Sequence, residues 1–196
     1  MNMYFYNGNV IGGMMKVLLL YTSREGQTEK IIQHIKARLD KQFQCDCIKL
    51  EPYSTIDLNI YQAVIIGTSI RYGYYPKSIK KFIQSHTKQL NTMYSAFFGV
   101  NLVARKVNKN TPETNLYTRK FLNSIEWHPN LKAVFAGALY YPRYNLFDRY
   151  MIRFIMWLGK GETDISKPII EYTDWSRVNV YTEQFIQYVT IGTNKK

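Results

Sequence analysis

From residue 16 onward the chain alternates between short apolar runs and longer segments whose apolar residues return every three or four positions. Lys16-Val-Leu-Leu-Leu-Tyr21 ends in turn residues and has the pattern of a strand buried on both faces. Over Thr28–Phe43, the residues Ile31, Ile32, Ile35, Leu39 and Phe43 fall at helical spacing with Lys, Arg, Glu and Gln between them, which predicts an amphipathic helix. Similar apolar runs predict strands at Cys45–Leu50, Ala63–Gly67, Ala96–Val100 and Ala133–Leu139. Pro76 suits a first helical turn, and Ile79, Phe82, Ile83 and Leu90 supply that helix's buried stripe. A third helix is expected from Thr111-Pro-Glu113, with Leu116, Phe121 and Leu122 facing inward. A last helix starts near the cap residue Asp174 and runs through Trp175, Val178, Phe185 and Ile186. Strands alternating with helices specify an α/β domain with a parallel sheet covered on both faces.

One segment departs from that series. Between the fifth strand and the last helix lie roughly thirty residues more than such a connection needs. Within them Leu146–Leu158 reads as a helix, with Asn145, Arg149 and Arg153 as a narrow polar stripe. The rest is large and apolar, including Phe147, Met151, Phe154, Ile155 and Trp157. A membrane-interface element, a core element and a dimer contact all fit such a surface. The expected organisation is an extension over residues 1–14, a single domain over 15–190 with its insert at about 141–168, and a tail over 191–196.

Composition narrows the partners. Of 196 residues, 46% are hydrophobic and 20% charged, a globular balance. Cys45 and Cys47 are too close for a two-residue-gapped metal or redox pair and read as reduced thiols. His34, His86 and His128 stand singly, so no metal site is expected. Lys and Arg number 26 against 14 Asp and Glu, a formal net charge of +12, which points to an anionic partner. The basic residues are dispersed and no nucleic-acid motif accompanies them, so nucleic acid is not expected. No apolar run is long enough to span a bilayer as a helix.

Two loops carry candidate chemistry. The first strand runs into Tyr21-Thr-Ser-Arg-Glu-Gly-Gln-Thr28 and then directly into the first helix. Backbone N–H groups at a helix N-terminus favour an anion, so Ser23, Thr28 and the amides around Gly26 are placed to hold a phosphate, with Arg24 adding charge; an ordinary strand–helix turn capped by Thr fits equally. Neither a Gly-x-Gly-x-x-Gly nor a Gly-Lys-Ser/Thr loop is present here, which disfavours dinucleotides and nucleoside triphosphates. The third strand ends in Gly67-Thr-Ser-Ile-Arg-Tyr-Gly-Tyr-Tyr-Pro76. In a sheet of order 2-1-3-4-5 these two loops border one crevice at the topological switch point. That pairing suits flavin mononucleotide (FMN), with the phosphate in the first loop and the ring beside Tyr72 or Tyr74; tyrosines packed on the sheet end are the alternative.

Several stretches together resemble one family. They are Arg24-Glu-Gly-Gln-Thr28, Ile66-Gly-Thr-Ser-Ile-Arg-Tyr-Gly73, Val100-Asn-Leu-Val-Ala-Arg-Lys106, Thr111-Pro-Glu-Thr-Asn115, Ala136-Gly-Ala-Leu-Tyr-Tyr-Pro-Arg-Tyr144, Gly161-Glu-Thr-Asp164 and Tyr172-Thr-Asp-Trp175. Across residues 15–190 the chain resembles the flavodoxin-like, quinone-dependent protoporphyrinogen oxidases of bacteria. The resemblance implies a flavodoxin-like five-stranded parallel sheet of order 2-1-3-4-5 with a long helical insert after strand five. It further implies FMN-dependent oxidation of protoporphyrinogen IX to protoporphyrin IX in heme biosynthesis, with a respiratory quinone, menaquinone or ubiquinone, as acceptor. On that basis Ser23, Arg24, Glu25, Gly26, Gln27 and Thr28 hold the phosphate. Ser69, Ile70, Arg71, Tyr72 and Gly73 flank the ring on one side, and Val100, Asn101, Leu102, Val103 and Ala104 on the other. Flavodoxins usually carry a hydroxyl residue where Glu25 stands, and a carboxylate there repels a phosphate unless it turns to solvent or pairs with Arg24.

Substrate carboxylates are expected at Arg71, Arg105 or Arg143, since guanidinium groups grip carboxylates in pairs; a solvated surface charge is the alternative for each. The insert residues Phe147, Met151, Phe154, Ile155 and Trp157 are expected to meet quinone or an anionic membrane surface. That places the protein peripherally on the cytoplasmic side of a bacterial inner membrane. No catalytic base is nominated, and a homo-oligomer is left open. A generic NAD(P)H:quinone reductase and a non-enzymatic FMN shuttle share the fold and stand as rival readings.

Overall fold

The computed structural model describes residues 4–6, 9–11, 14–52, 54–140 and 169–194. The insert expected at 141–168, with Arg143 and Phe147 to Trp157, lies outside the described residues. Five apolar runs form one parallel sheet: β1 (Lys16–Thr22), β2 (Gln44–Lys49), β3 (Ala63–Ser69), β4 (Tyr94–Val100) and β5 (Leu131–Phe135), in the order β2-β1-β3-β4-β5. The helices are α1 (Gln27–Leu39), α2 (Lys77–Thr92), α3 (Leu116–Leu122) and α4 (Trp175–Asn194).

Period-two alternation along β1 divides the core in two. Val17, Leu19 and Tyr21 join Ile31, Ile35 and Leu39 of α1 and Val178, Phe185 and Val189 of α4 on one face. Leu18 and Leu20 join Ile79, Ile83 and Leu90 of α2, Phe121 of α3 and Trp127 on the other. Because both faces are covered, β1 reads as a continuous apolar run. The Asp174 side chain accepts from the N–H groups of Ser176 (3.0 Å) and Arg177 (3.2 Å) and so starts α4 as expected.

Register sets the position of the site. Thr22 is level with Thr68, Ser69 with Val100, and Val100 with Phe135. Four strands therefore end at one height, and the loops that follow them leave from a single edge.

Three details depart from the sequence expectation. The last apolar run does not continue to Leu139 as one strand. The chain leaves the sheet after Phe135, and Ala138–Leu139 (β6) pairs antiparallel with Ile170–Glu171 (β7). The bend is held by Gly137, whose N–H donates to Asn101 O (3.3 Å) while its carbonyl accepts from Tyr172 N–H (3.1 Å). Near the N-terminus, Tyr4–Tyr6 and Asn9–Ile11 form an antiparallel pair against α4, a segment for which the sequence pattern predicts no element. Finally, α3 is capped by Asn115, four residues beyond the expected start at Thr111, and Leu116 is exposed rather than inward-facing.

Candidate functional site

The loops after β1, β3, β4 and β5 enclose a cleft of about 600 Å³. Its first wall is the β1–α1 turn. Gly26 takes φ 103°, a left-handed conformation that glycine adopts without a side-chain clash, and its N–H donates to Ser23 Oγ (3.1 Å). The chain thereby turns sharply into α1 and sets Gln27 and Thr28 as the helix's first residues. Thr28 is 1% exposed, lines the cleft, and its hydroxyl has no hydrogen-bond partner among the described residues. A buried hydroxyl in that state is unfavourable until an acceptor reaches it.

Gln27 is committed elsewhere. Its Nε2 donates to Glu171 Oε1 (3.0 Å) and Thr173 Oγ1 (2.7 Å), while its Oε1 accepts from Tyr140 O–H (2.7 Å). Lys30 reaches the other oxygen of Glu171 at 2.6 Å. Burial pushes the Glu171 carboxyl up, but hydrogen bonds from Lys30 and Gln27 outweigh it and hold the group below its ordinary value. The side chain of Gln27 thus ties the β1–α1 turn to β7 and to Tyr140.

The second wall is the loop after β3. Arg71 and Tyr74 exchange backbone hydrogen bonds of 2.9 and 3.0 Å, closing a two-residue turn with φ 50° at Tyr72 and 85° at Gly73. Positive φ at both central positions is the type I′ pattern, and a tyrosine held there is unusual enough to suggest a functional role for the turn. Tyr72 and Tyr74 project from it, 58% and 79% exposed. Arg71 Nη1 donates to Glu25 Oε1 at 2.6 Å, and its guanidinium lies 5.0 Å from the Tyr72 ring centroid. The Glu25 carboxylate therefore pairs with Arg71 from the facing loop, while Arg24 is exposed and outside the cleft lining.

The third wall follows β4. Asn101, 4% exposed, accepts from Ala104 N–H at 3.0 Å and from Asn115 Nδ2 at 3.1 Å. Asn115 Oδ1 in turn accepts from Thr118 N–H and Oγ1, and Thr118 Oγ1 lies 2.9 Å from Tyr75 O–H. This buried chain of polar groups shapes the loop so that Val100, Leu102 and Val103 line the cleft while Ala104 turns into the core.

The cleft brings together most residues expected from sequence, drawn from three loops: Ser23, Glu25, Gln27 and Thr28; Ser69, Ile70, Arg71, Tyr72 and Gly73; and Val100, Asn101, Leu102 and Val103. Arg24, Gly26 and Ala104 do not line it. Arg105 does not line it either, and its Nη1 donates to Leu102 O at 2.9 Å. Leu116, Tyr117 and Lys120 of α3, together with Gly137 and Ala138, do line it, and sequence reasoning missed them as site residues. A signal was available: Asn115 is a good cap, and taking it as the start of α3 puts Leu116 and Tyr117 in a first turn at the sheet edge. His34 and His86 are packing residues beside Trp175 and Phe82 and lie outside the cleft lining. Among the described residues, no group of three His, Cys, Asp or Glu side chains could hold a metal.

The flavodoxin-domain family model matches residues 18–166. The protoporphyrinogen IX dehydrogenase (quinone) of Escherichia coli K12 is 46% identical over 165 residues, spanning 84% of this chain and 91% of that enzyme. The chain belongs to this family. A Leishmania major protein of the same name is 45% identical over 172 residues, covering 87% of this chain and 74% of its relative. Among solved structures, oxidised flavodoxin 1 from Bacillus cereus covers 89% of this chain and 97% of its own, with 12% identity and a TM-score of 0.49. FMN is the cofactor that goes with a flavodoxin domain. The residues present fit it, since the orphaned Thr28 hydroxyl and the N–H groups opening α1 are the donor set a phosphate monoester requires.

Proposed function

We propose that this flavodoxin-domain chain is an FMN-dependent enzyme that oxidises protoporphyrinogen IX to protoporphyrin IX and passes the electrons to a respiratory quinone. The observation that carries this reading is the 46% identity to a protein of that name across 91% of its length. Bound in the cleft, FMN supplies the two-electron chemistry, and the protein supplies placement and electrostatics. The Thr28 hydroxyl donates to the phosphate, assisted by the N–H groups and dipole of α1. Glu25 and Arg71 hold the first and second loops together and keep the carboxylate from opposing the phosphate. Tyr72, Tyr74, Leu102 and Val103 cover the ring and exclude water from it.

The protein is placed peripherally on the cytoplasmic face of a bacterial inner membrane. The net charge of +12 attracts it to anionic headgroups, and the apolar insert residues Phe147, Met151, Phe154, Ile155 and Trp157 enter the interface. No helix among the described residues is long and apolar enough to cross a membrane. Menaquinone or ubiquinone is the acceptor.

Purified, FMN-supplemented protein given protoporphyrinogen IX anaerobically should develop porphyrin fluorescence only when a quinone is present. Oxidation of NADPH with no porphyrin formed would make it a generic quinone reductase instead.

A further inference from the structure

Of the three cations that sequence nominates for substrate carboxylates, Arg143 lies outside the described residues, and Arg71 and Arg105 each hold another group. Arg71 is held by Glu25 at 2.6 Å, and Arg105 turns to the Leu102 carbonyl outside the cleft lining. Lys120 lines the cleft, is exposed, and pairs with no carboxylate among the described residues. It stands one helical turn beyond Leu116 and Tyr117, which also line the cleft, so α3 presents an apolar residue, an aromatic ring and a cation in one stripe. Leu116 is 46% exposed, a large apolar side chain turned toward the cleft rather than the core.

The local charge balance favours an anion here. No Asp or Glu occurs between Asp57 and Glu113, the stretch that supplies the second and third cleft walls. Glu25, the carboxylate in the cleft lining, is paired with Arg71. Two strand spacings, roughly 10 Å, separate β1 from β4 in the sheet order, so an anion at α3 is distinct from a phosphate at the α1 turn.

We infer that Lys120 receives a peripheral carboxylate of the macrocyclic substrate while Leu116 and Tyr117 cover its ring face. The inference rests on the proposed function and names a specificity contact within the same cleft. An ammonium on a flexible stem suits such a partner, because it follows a carboxylate at the edge of a large ring without fixing one approach.

The test compares the FMN-loaded wild type with Lys120→Ala and Lys120→Arg. Binding of a dicarboxylate porphyrin and of its dimethyl ester is followed by fluorescence, and FMN affinity is measured separately. Lys120→Ala should weaken the diacid about tenfold, as expected for a lost charged hydrogen bond at a partly solvated site. It should leave the ester and FMN unchanged, and Lys120→Arg should restore diacid binding. Equal loss for acid and ester, no loss for the acid, or a fall in FMN affinity would each overturn the assignment. A wild type that binds neither porphyrin, and forms no porphyrin from protoporphyrinogen, would remove the functional reading itself, and the contact with it.

Discussion

A buried hydroxyl without a partner is unfavourable by about 1–3 kcal/mol, and Thr28 carries one at the opening of α1. That sign separates a ligand-binding role from a structural one. In Thr28→Ala the flavin-free protein should melt at the same temperature or higher, because an unsatisfied group is gone. FMN should bind about ten- to hundredfold more weakly, the value of a hydrogen bond to a charged group. Thr28→Ser should retain binding. Thermal melts and flavin titration check this directly, and a lower melting temperature with unchanged flavin affinity would assign the hydroxyl to the fold. Glu25 shows where single-residue reading stops. From sequence it is a carboxylate beside a phosphate, with Arg24 as its nearest cation. Arg71, 46 positions away, pairs with it, and the parallel pairing of β1 with β3 brings the two loops together.

At the scale of elements, the sheet and the major helices were legible because burial on both faces writes itself as apolar runs and stripes. The strands β1 to β4 and the faces of α1 and α2 follow from that pattern alone. The split between β5 and β6 was not legible, since Ala133 to Leu139 is one apolar run and the break depends on Gly137 hydrogen bonding to residues distant in sequence. The third wall was legible as a segment but not in its workings. Asn101 could be read as a ring-flanking residue, whereas its side chain shapes the loop through Asn115. The α3 contribution was hidden because Leu116 has the chemistry of a core residue, and hydrophobicity does not distinguish a core position from a cleft wall. The insert belongs to this scale as well, read from sequence. Replacing Phe154 and Trp157 with Glu should release the protein from anionic liposomes in a flotation assay while sparing flavin content. Unchanged flotation would contradict the interfacial role.

For the whole molecule, one sheet places four strand ends at a common height, and the loops beyond them divide the work. The α1 turn presents donors, the β3 turn presents aromatic rings, and the loop after β4 and α3 present an apolar wall that ends in a cation. The formal net charge of +12 suits the anionic partners proposed for the chain, a phosphate, substrate carboxylates and lipid headgroups. The central contact proposed here is the anchoring of FMN through its phosphate at the start of α1. Titrating flavin-free protein with FMN and with riboflavin, which lacks the phosphate, isolates that contact. FMN should bind on the order of a hundredfold more tightly, the scale of a charge-assisted set of hydrogen bonds at a helix N-terminus. Equal affinity for the two flavins, or no binding of either, would contradict it.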